Sequence, residues 1–253
     1  MSGAETSSLD DLRVEVERLR AALAQQEQEA ADKEVQLQRY AADLRETFKE
    51  ERARAHELRE SYFATVRALT NAVEARDAYT GKHAERVAAY ALEIGSAIGE
   101  SWAGNPEFEF GFLLHDIGKV AIPDSILHKP EPLTPQEREL IKQHPMTGWE
   151  IVRQVDFLGA ARDVVRHHHE RWDGEGYPDG LKAEEIPITA RVFAVADTLD
   201  ALTTTRPYRP ASPIGEAREL INEGRGTQFD PVVADAFAAM PDDVFERIRA
   251  EIA

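Results

Sequence analysis

Cysteine is absent from the 253 residues, which excludes disulfides and thiolate metal sites and is compatible with a reducing compartment. No apolar run approaches the ~20 residues that span a bilayer. The opening Met1-Ser2-Gly3-Ala4-Glu5, leading to Asp10 and Asp11, has neither the basic start nor the apolar centre of a signal peptide. The chain is therefore expected to be soluble and cytoplasmic, with no membrane partner. Positive charge is also scarce: 30 Lys and Arg face 47 Asp and Glu, a formal net charge of -17. That argues against a nucleic-acid polymer as partner, because such binders present a basic stripe to the phosphates. A small anionic ligand stays open where metal ions and a few local cations offset the field. Strand-like alternation is scarce throughout, so the expected fold class is all-α.

Gly and Pro are missing from about Leu9 to about Leu58, a stretch dense in Glu, Arg, Gln, Ala and Leu. Leu12, Val16, Leu19, Leu23, Ala30, Leu37, Tyr40 and Leu44 fall on a seam of four- and three-residue steps, interrupted by Gln26 and Lys33. This spacing fits a two-stranded coiled coil. After Leu44 the register shifts through Phe48, Ala55, Leu58, Tyr62, Leu69 and Val73, as at a stutter. The alternative is a solvated single helix held by charge pairs. We expect residues 1–60 to be a dimerising coiled-coil helix that runs without a break into a second domain, 61–253.

The second domain is organised around Phe112-Leu113-Leu114-His115-Asp116-Ile117-Gly118-Lys119, an apolar helical run delivering an adjacent His-Asp pair and then a lysine. An imidazole beside a carboxylate can hold a divalent cation, and a nearby ammonium can meet an anion held there. Before it, Asp77 to Gly81 reads as a turn, and His83 shares a helical stripe with Val87, Tyr90, Ala91 and Ile94, where a hydrogen-bonded core histidine is the ordinary reading. Pro106 suits the first turn of the helix leading to His115. Thr134-Pro135-Gln136-Glu137 spells a capped helix start whose helix is expected to end at His144-Pro145. Another helix is expected between Ala160 and Trp172, with His168 and His169 following Val164 and Val165 by four residues. The run from Asp173 to Gly180 is too rich in Gly and Pro for anything but a structured loop. Ile188 to Leu202 reads as a helix apolar almost all round, burying Asp197, while Asp200 suits a cap or an ion pair. Residues 213 to 251 read as two amphipathic helices for packing.

Singly, each of these histidines has an ordinary structural reading. Together, His83, His115, His144, His167, His168 and His169 with Asp116 and Asp197 put more titratable groups on inward faces than a core usually hides. Imidazole and carboxylate without thiolate suit iron, manganese or zinc better than magnesium or calcium, and so many ligands suit two ions better than one.

His115-Asp116-Ile117-Gly118-Lys119 together with His168-His169-Glu170-Arg171-Trp172-Asp173-Gly174-Glu175-Gly176-Tyr177-Pro178 resembles the signature of the HD-GYP family, the bacterial branch of HD-domain phosphohydrolases that degrade cyclic di-GMP. The likeness continues in Asp77 to His83, Ile122-Pro123-Asp124, His144-Pro145, Ala196 to Leu202 and Phe229-Asp230-Pro231, so it covers roughly residues 65 to 240 in order. The resemblance implies an HD-domain helical bundle and two divalent ions, iron or manganese ahead of zinc, held by His115, Asp116, His144, His168, His169 and Asp197, with Asp116 bridging. It marks His83 as a site residue whose direct ligation is open, because the glutamate that accompanies it in three-metal members is Tyr79 here. Gln228 stands where many relatives have a histidine. Lys119, Arg206 and Arg209 match substrate-contacting cations, and Gly176, Tyr177 and Pro178 match the rim of the pocket.

The reaction implied is metal-activated attack of water on a cyclic dinucleotide, with Lys119 and Asp116 in the catalytic centre and pGpG, or further GMP, as product. Hydrolysis of cyclic GMP-AMP, or a signalling module of low activity working through protein contacts, would use the same residues. An upstream sensor or partner protein acting on the coiled coil is compatible with either.

Overall fold

The computed structural model describes residues 3–76, 82–102, 105–205 and 210–252, with side chains from residue 12 onward except at 106, 156, 160 and 161. Asp77 to Gly81, Arg206 and Arg209 lie outside these described residues. Among the described residues there is no β-strand. The chain divides into two compact units, Met1–Ser61 and Tyr62–Ala253.

Helix α1 runs from Gly3 to Glu74 with no Gly or Pro after its first residue to break it. In the first unit its apolar seam is exposed, with Leu19 at 59%, Leu37 at 67% and Phe48 at 63%. Pairs such as Arg20–Glu17 and Arg54–Glu51 lie one turn apart. Each contributes only about 0.2–0.5 kcal/mol to an exposed helix.

The second unit contains the end of α1, then α2 (His83–Ala97), α3 (Pro106–Leu113), a 3-10 turn (Ile117–Ala121), α4 (Asp124–Leu127), α5 (Pro135–Ile141) and α6 (His144–Val152). A second 3-10 turn (Asp156–Ala161) leads to α7 (Arg162–His167) and, after a third (Ala183–Glu185), to α8 (Ile188–Thr203), α9 (Ile214–Glu223), α10 (Pro231–Ala239) and α11 (Asp242–Glu251). Helix α8 is central because it is apolar on several faces: Val192, Phe193, Val195, Ala196 and Leu199 are all buried. Val87, Tyr90, Ala91 and Ile94 of α2 join them in one core with Val164 and Val165 of α7 and Phe237 of α10. Burying a side chain of this size stabilises by roughly 1.5–3 kcal/mol.

Local signals set several boundaries. Asn105 Oδ1 accepts from Glu107 N at 3.1 Å ahead of Pro106, and Thr134 and Glu137 form the reciprocal cap expected at α5. Other boundaries correct the sequence reading. Helix α5 stops at Ile141, and His144 opens α6 with Pro145 in its first turn, where a missing N–H costs nothing. His144 is therefore an N-terminal residue of its helix, not a C-terminal one. The His115-Asp116 pair follows α3 in a turn, and His168-His169 follow the end of α7 at His167. The C-terminal region holds three helices, because Met240-Pro241 interrupts what periodicity alone joins.

Candidate metal centre

Three turns or helix ends deliver His115, His144 and the His168-His169 pair, and backbone carbonyls orient three of these rings. His115 Nδ1 donates to Phe112 O at 2.9 Å, His144 Nδ1 to Ile141 O at 2.6 Å, and His168 Nδ1 to the carbonyls of Val164 and Val165 at 3.1 Å each. A carbonyl only accepts, so the proton sits on Nδ1 and the Nε2 lone pairs point inward. They converge on Asp116. Its Oδ2 lies 3.1 Å from His115 Nε2, and its Oδ1 lies 3.2 Å from His144 Nε2 and 3.9 Å from His168 Nε2. His144 Nε2 and His168 Nε2 face each other at 3.2 Å.

Asp116, His144, His168 and His169 each offer a ligand atom within 4.8 Å of the others. Neutral imidazole nitrogens facing one another with no proton between them are a poor arrangement for water and a good one for a cation, so the donor set fits a divalent metal. Burial keeps His168 neutral, holding its pKa well below the ordinary value, and with the neighbouring His144 lowers that of His169 to about 4. Burial alone would raise the Asp116 pKa, but Lys119, His115 and His144 override it and hold the carboxylate ionised.

Asp197 completes the other side. Its Oδ1 is 3.3 Å from His83 Nε2, and the His83 and His115 rings are 5.6 Å apart. The sequence reading has Asp197 as the buried carboxylate of α8, yet its side chain is 32% exposed; the buried one is Asp200, at 2%. Asp200 Oδ2 meets His83 Nδ1 at 2.7 Å and Asp200 Oδ1 accepts from Arg86 Nε at 2.7 Å, the ion pair expected for that aspartate. Burial works against a charged His83, but its bonds to Asp197 and Asp200 prevail and raise its pKa to about 10. His83 thus lies against the centre as a carboxylate-clamped ring.

Lys119 Nζ sits 2.8 Å from Asp116 Oδ2. The Gly176-Tyr177-Pro178 loop folds directly onto the chain it follows: a side chain at Gly176 would lie 2.4 Å from Arg171 N. Tyr177 stacks on His169 with ring centres 4.8 Å apart and an interplanar angle of 26°, and its N–H donates to His169 O at 3.2 Å. A cleft of about 200 Å³ is bordered by His169, Tyr177, Asp197, Thr198 and Gln228. Gln228, singled out in the sequence only as a departure, is thus a wall residue of this cleft.

Some residues stand elsewhere or went unread. His167 is apart from the cluster, with Nδ1 3.5 Å from Asp179 and 3.8 Å from Glu170. Glu170 itself is buried and accepts from the N–H groups of Asp179 at 2.8 Å and Leu181 at 3.1 Å, pinning the loop beyond Pro178. Its place directly after His169 was the available signal. Arg86 carries no signal in the sequence beyond lying one helical turn from His83.

An HD-domain family model matches residues 67–233. A cyclic di-GMP phosphodiesterase of Thermotoga maritima is 40% identical over 191 residues, covering 75% of this chain and 52% of that protein. A 3'3'-cGAMP-specific phosphodiesterase of Vibrio cholerae is 38% identical over 198 residues, covering 78% of this chain and 38% of that protein. The chain therefore spans about half, or less, of the length of these curated relatives. Among solved structures, an HDG"Y"P protein from Bdellovibrio bacteriovorus superposes with a TM-score of 0.52 at 21% identity, covering 71% of this chain and 63% of that one, a likeness of fold.

Proposed function

The chain belongs to the HD-domain family, in its HD-GYP branch, and from that premise we propose that it is a metal-dependent phosphodiesterase acting on cyclic di-GMP. The observation that carries this reading is the convergence of Asp116, His144, His168 and His169 beside a lysine and an open cleft. Asp116, His144, His168 and His169 would hold one cation, and His115, Asp116 and Asp197 the other, with the two carboxylate oxygens of Asp116 turned to opposite sides. Iron or manganese suits this imidazole and carboxylate set, with zinc behind them. Bound there, divalent cations supply Lewis acidity, neutralising phosphodiester charge and making water acidic enough to attack near neutral pH.

The chain's own residues do the rest. Lys119 lies where its ammonium can leave Asp116 for a phosphate oxygen and stabilise the charge that grows there. Burial pushes the Tyr177 phenol pKa up, so it stays protonated and supports His169 by stacking rather than taking a proton. Arg206 and Arg209 enter as phosphate or base contacts on the strength of the family pattern. In the reaction, water oxygen bonds to phosphorus and the bond from phosphorus to the ribose 3' oxygen breaks, giving linear pGpG; a second cleavage gives GMP.

Residues 1–60 would pair with a second copy. A seam left exposed at Leu12, Leu19, Leu23, Leu37, Leu44 and Phe48 gains burial only by finding a partner, and the helix's own charge pairs are too weak to replace that gain. A sensor protein gripping the same helix is the other occupant.

The test is to incubate metal-loaded protein with cyclic di-GMP and with 3'3'-cGAMP, separately and in competition, and to separate the products. Chelator-sensitive pGpG or GMP formation, with cyclic di-GMP preferred, supports the reading. Preference for the mixed dinucleotide reassigns the substrate, and inertness toward both moves the chain to a signalling module.

A further inference from the structure

Arg76 follows the end of α1 by two residues and spends its whole guanidinium on one neighbour. Its Nη1 donates to Lys119 O at 3.3 Å and Val120 O at 2.8 Å, and its Nη2 donates to Ile122 O at 2.8 Å. Asp124 Oδ1 supplies the countercharge, 2.7 Å from Nη2 and 3.3 Å from Nε. The backbone carbonyl of Arg76 in turn accepts from His128 Nε2. The carbonyls it gathers lie at and just beyond the end of the 3-10 turn Ile117–Ala121, where a helix runs out of its own donors; Lys119 O also accepts from Ile122 N at 3.0 Å and takes Arg76 as a second donor. A planar fork of five donors can hold several of them at fixed angles, which an ammonium cannot.

Two other side chains of the same stretch behave alike. Thr70 Oγ1 donates to Leu113 O at 3.2 Å, one residue before the chain turns to His115, and Glu74 Oε1 accepts from Ala84 N at 2.9 Å, next to His83. Within about two turns, the end of α1 thus grips each of three segments that carry a residue of the centre.

We infer that Arg76 is a positioning residue for Lys119: it fixes the backbone of the turn so that the ammonium is held at Asp116, and it makes the end of α1 the point through which any displacement of that helix reaches the lysine. The inference rests on the catalytic role proposed for Lys119. Removing Arg76 leaves the histidine ligands and their carbonyl partners in place but frees the turn that presents the ammonium.

The test uses the full chain with Arg76→Ala, Arg76→Lys and Asp124→Ala, alone and combined with Lys119→Ala. Hydrogen exchange of the amides between residues 117 and 122 is read in the metal-free and loaded protein, beside metal content and cyclic di-GMP turnover. Arg76→Ala is expected to speed exchange in that turn about tenfold, to keep bound metal at the wild-type level, and to lower kcat about tenfold with a smaller change in KM. It should slow Lys119→Ala no further, because both act through one group. Should Arg76→Ala not fold, Arg76→Lys, which keeps the charge and loses the fork, must show the same local exchange signature. Unchanged exchange at 117–122, or losses that multiply in the double variant, overturns the inference. If wild-type protein turns over no cyclic dinucleotide, the proposed function falls, and the exchange result still decides whether Arg76 holds the turn.

Discussion

Replacing Gly118 by alanine tests how the two halves of the centre are held together. Gly118 lies between Asp116 and Lys119, and the turn that contains it packs against the start of α6. A Cβ there would sit 1.9 Å from His144 O, 2.8 Å from His144 C and 2.6 Å from Gly148 N, all backbone atoms that cannot rotate away. Restoring an ordinary carbon–oxygen contact of about 3.3 Å means moving α6 from the turn by roughly 1.4 Å. His144 Nε2 now lies 3.2 Å from Asp116 Oδ1. Metal–ligand distances tolerate about 0.2 Å, so the displaced histidine could not serve the same cation as Asp116.

Overpacking costs 1–3 kcal/mol where side chains can adjust; with backbone on the receiving side we expect about 3 kcal/mol or more, a fall of roughly 6–12 °C in Tm for a unit of this size. Metal analysis on the folded fraction, beside thermal unfolding followed by circular dichroism, reads both effects. Gly148→Ala is the control: its closest contact is the Val165 side chain, at 2.8 Å. It should lose less stability than Gly118→Ala and keep its metal. A Gly118→Ala protein with wild-type Tm and full metal content would refute the reasoning.

Three further outcomes are expected. Tyr177→Phe should keep metal content and turn over within about threefold of wild type, while Tyr177→Ala, which removes the ring stacked on His169, should lose metal affinity by about tenfold or more; equal losses in both would mean the hydroxyl does chemistry. In metal-free protein, stability should fall as pH drops from 6.5 toward 4, because the unfolded chain takes up a proton on His169 that the folded chain, with a pKa near 4, refuses. His169 alone contributes about 2.5 kcal/mol between pH 7 and 4.5 and His168 acts in the same direction, while His83, held near 10, opposes them by about 0.8 kcal/mol over that range, because near pH 6.5 only the unfolded chain still has that proton to take up. Urea unfolding at the two pH values, compared with His169→Asn, checks this; equal slopes in both proteins would contradict it. Removing residues 1–57 should convert a dimer to a monomer by light scattering, and an unchanged monomeric mass would remove the coiled-coil proposal.

The residues of the centre were legible in the sequence because histidine beside aspartate and a run of three histidines are rare on apolar helical stretches. Their setting was less so. Periodicity extended a helix through His115 and another through His169, whereas the structure stops both before the ligands, in turns where Nδ1 can reach a nearby carbonyl. The sequence pattern of α8 points to Asp197 as the buried carboxylate, because it shows which residues are apolar neighbours but not which cation a carboxylate meets. Arg86 and His83, far away in the chain, make Asp200 the buried one. Arg76 was invisible for a simpler reason. Its partners are mostly backbone carbonyls, which every residue type provides alike.

The most direct measurement is metal content per chain on anaerobically purified protein, with conversion of cyclic di-GMP followed on the same sample, for wild type and Asp116→Asn. The account predicts about two metals with pGpG or GMP formation in wild type, and loss of both in the variant. Full turnover in Asp116→Asn, or turnover by wild-type protein stripped of metal, would contradict it.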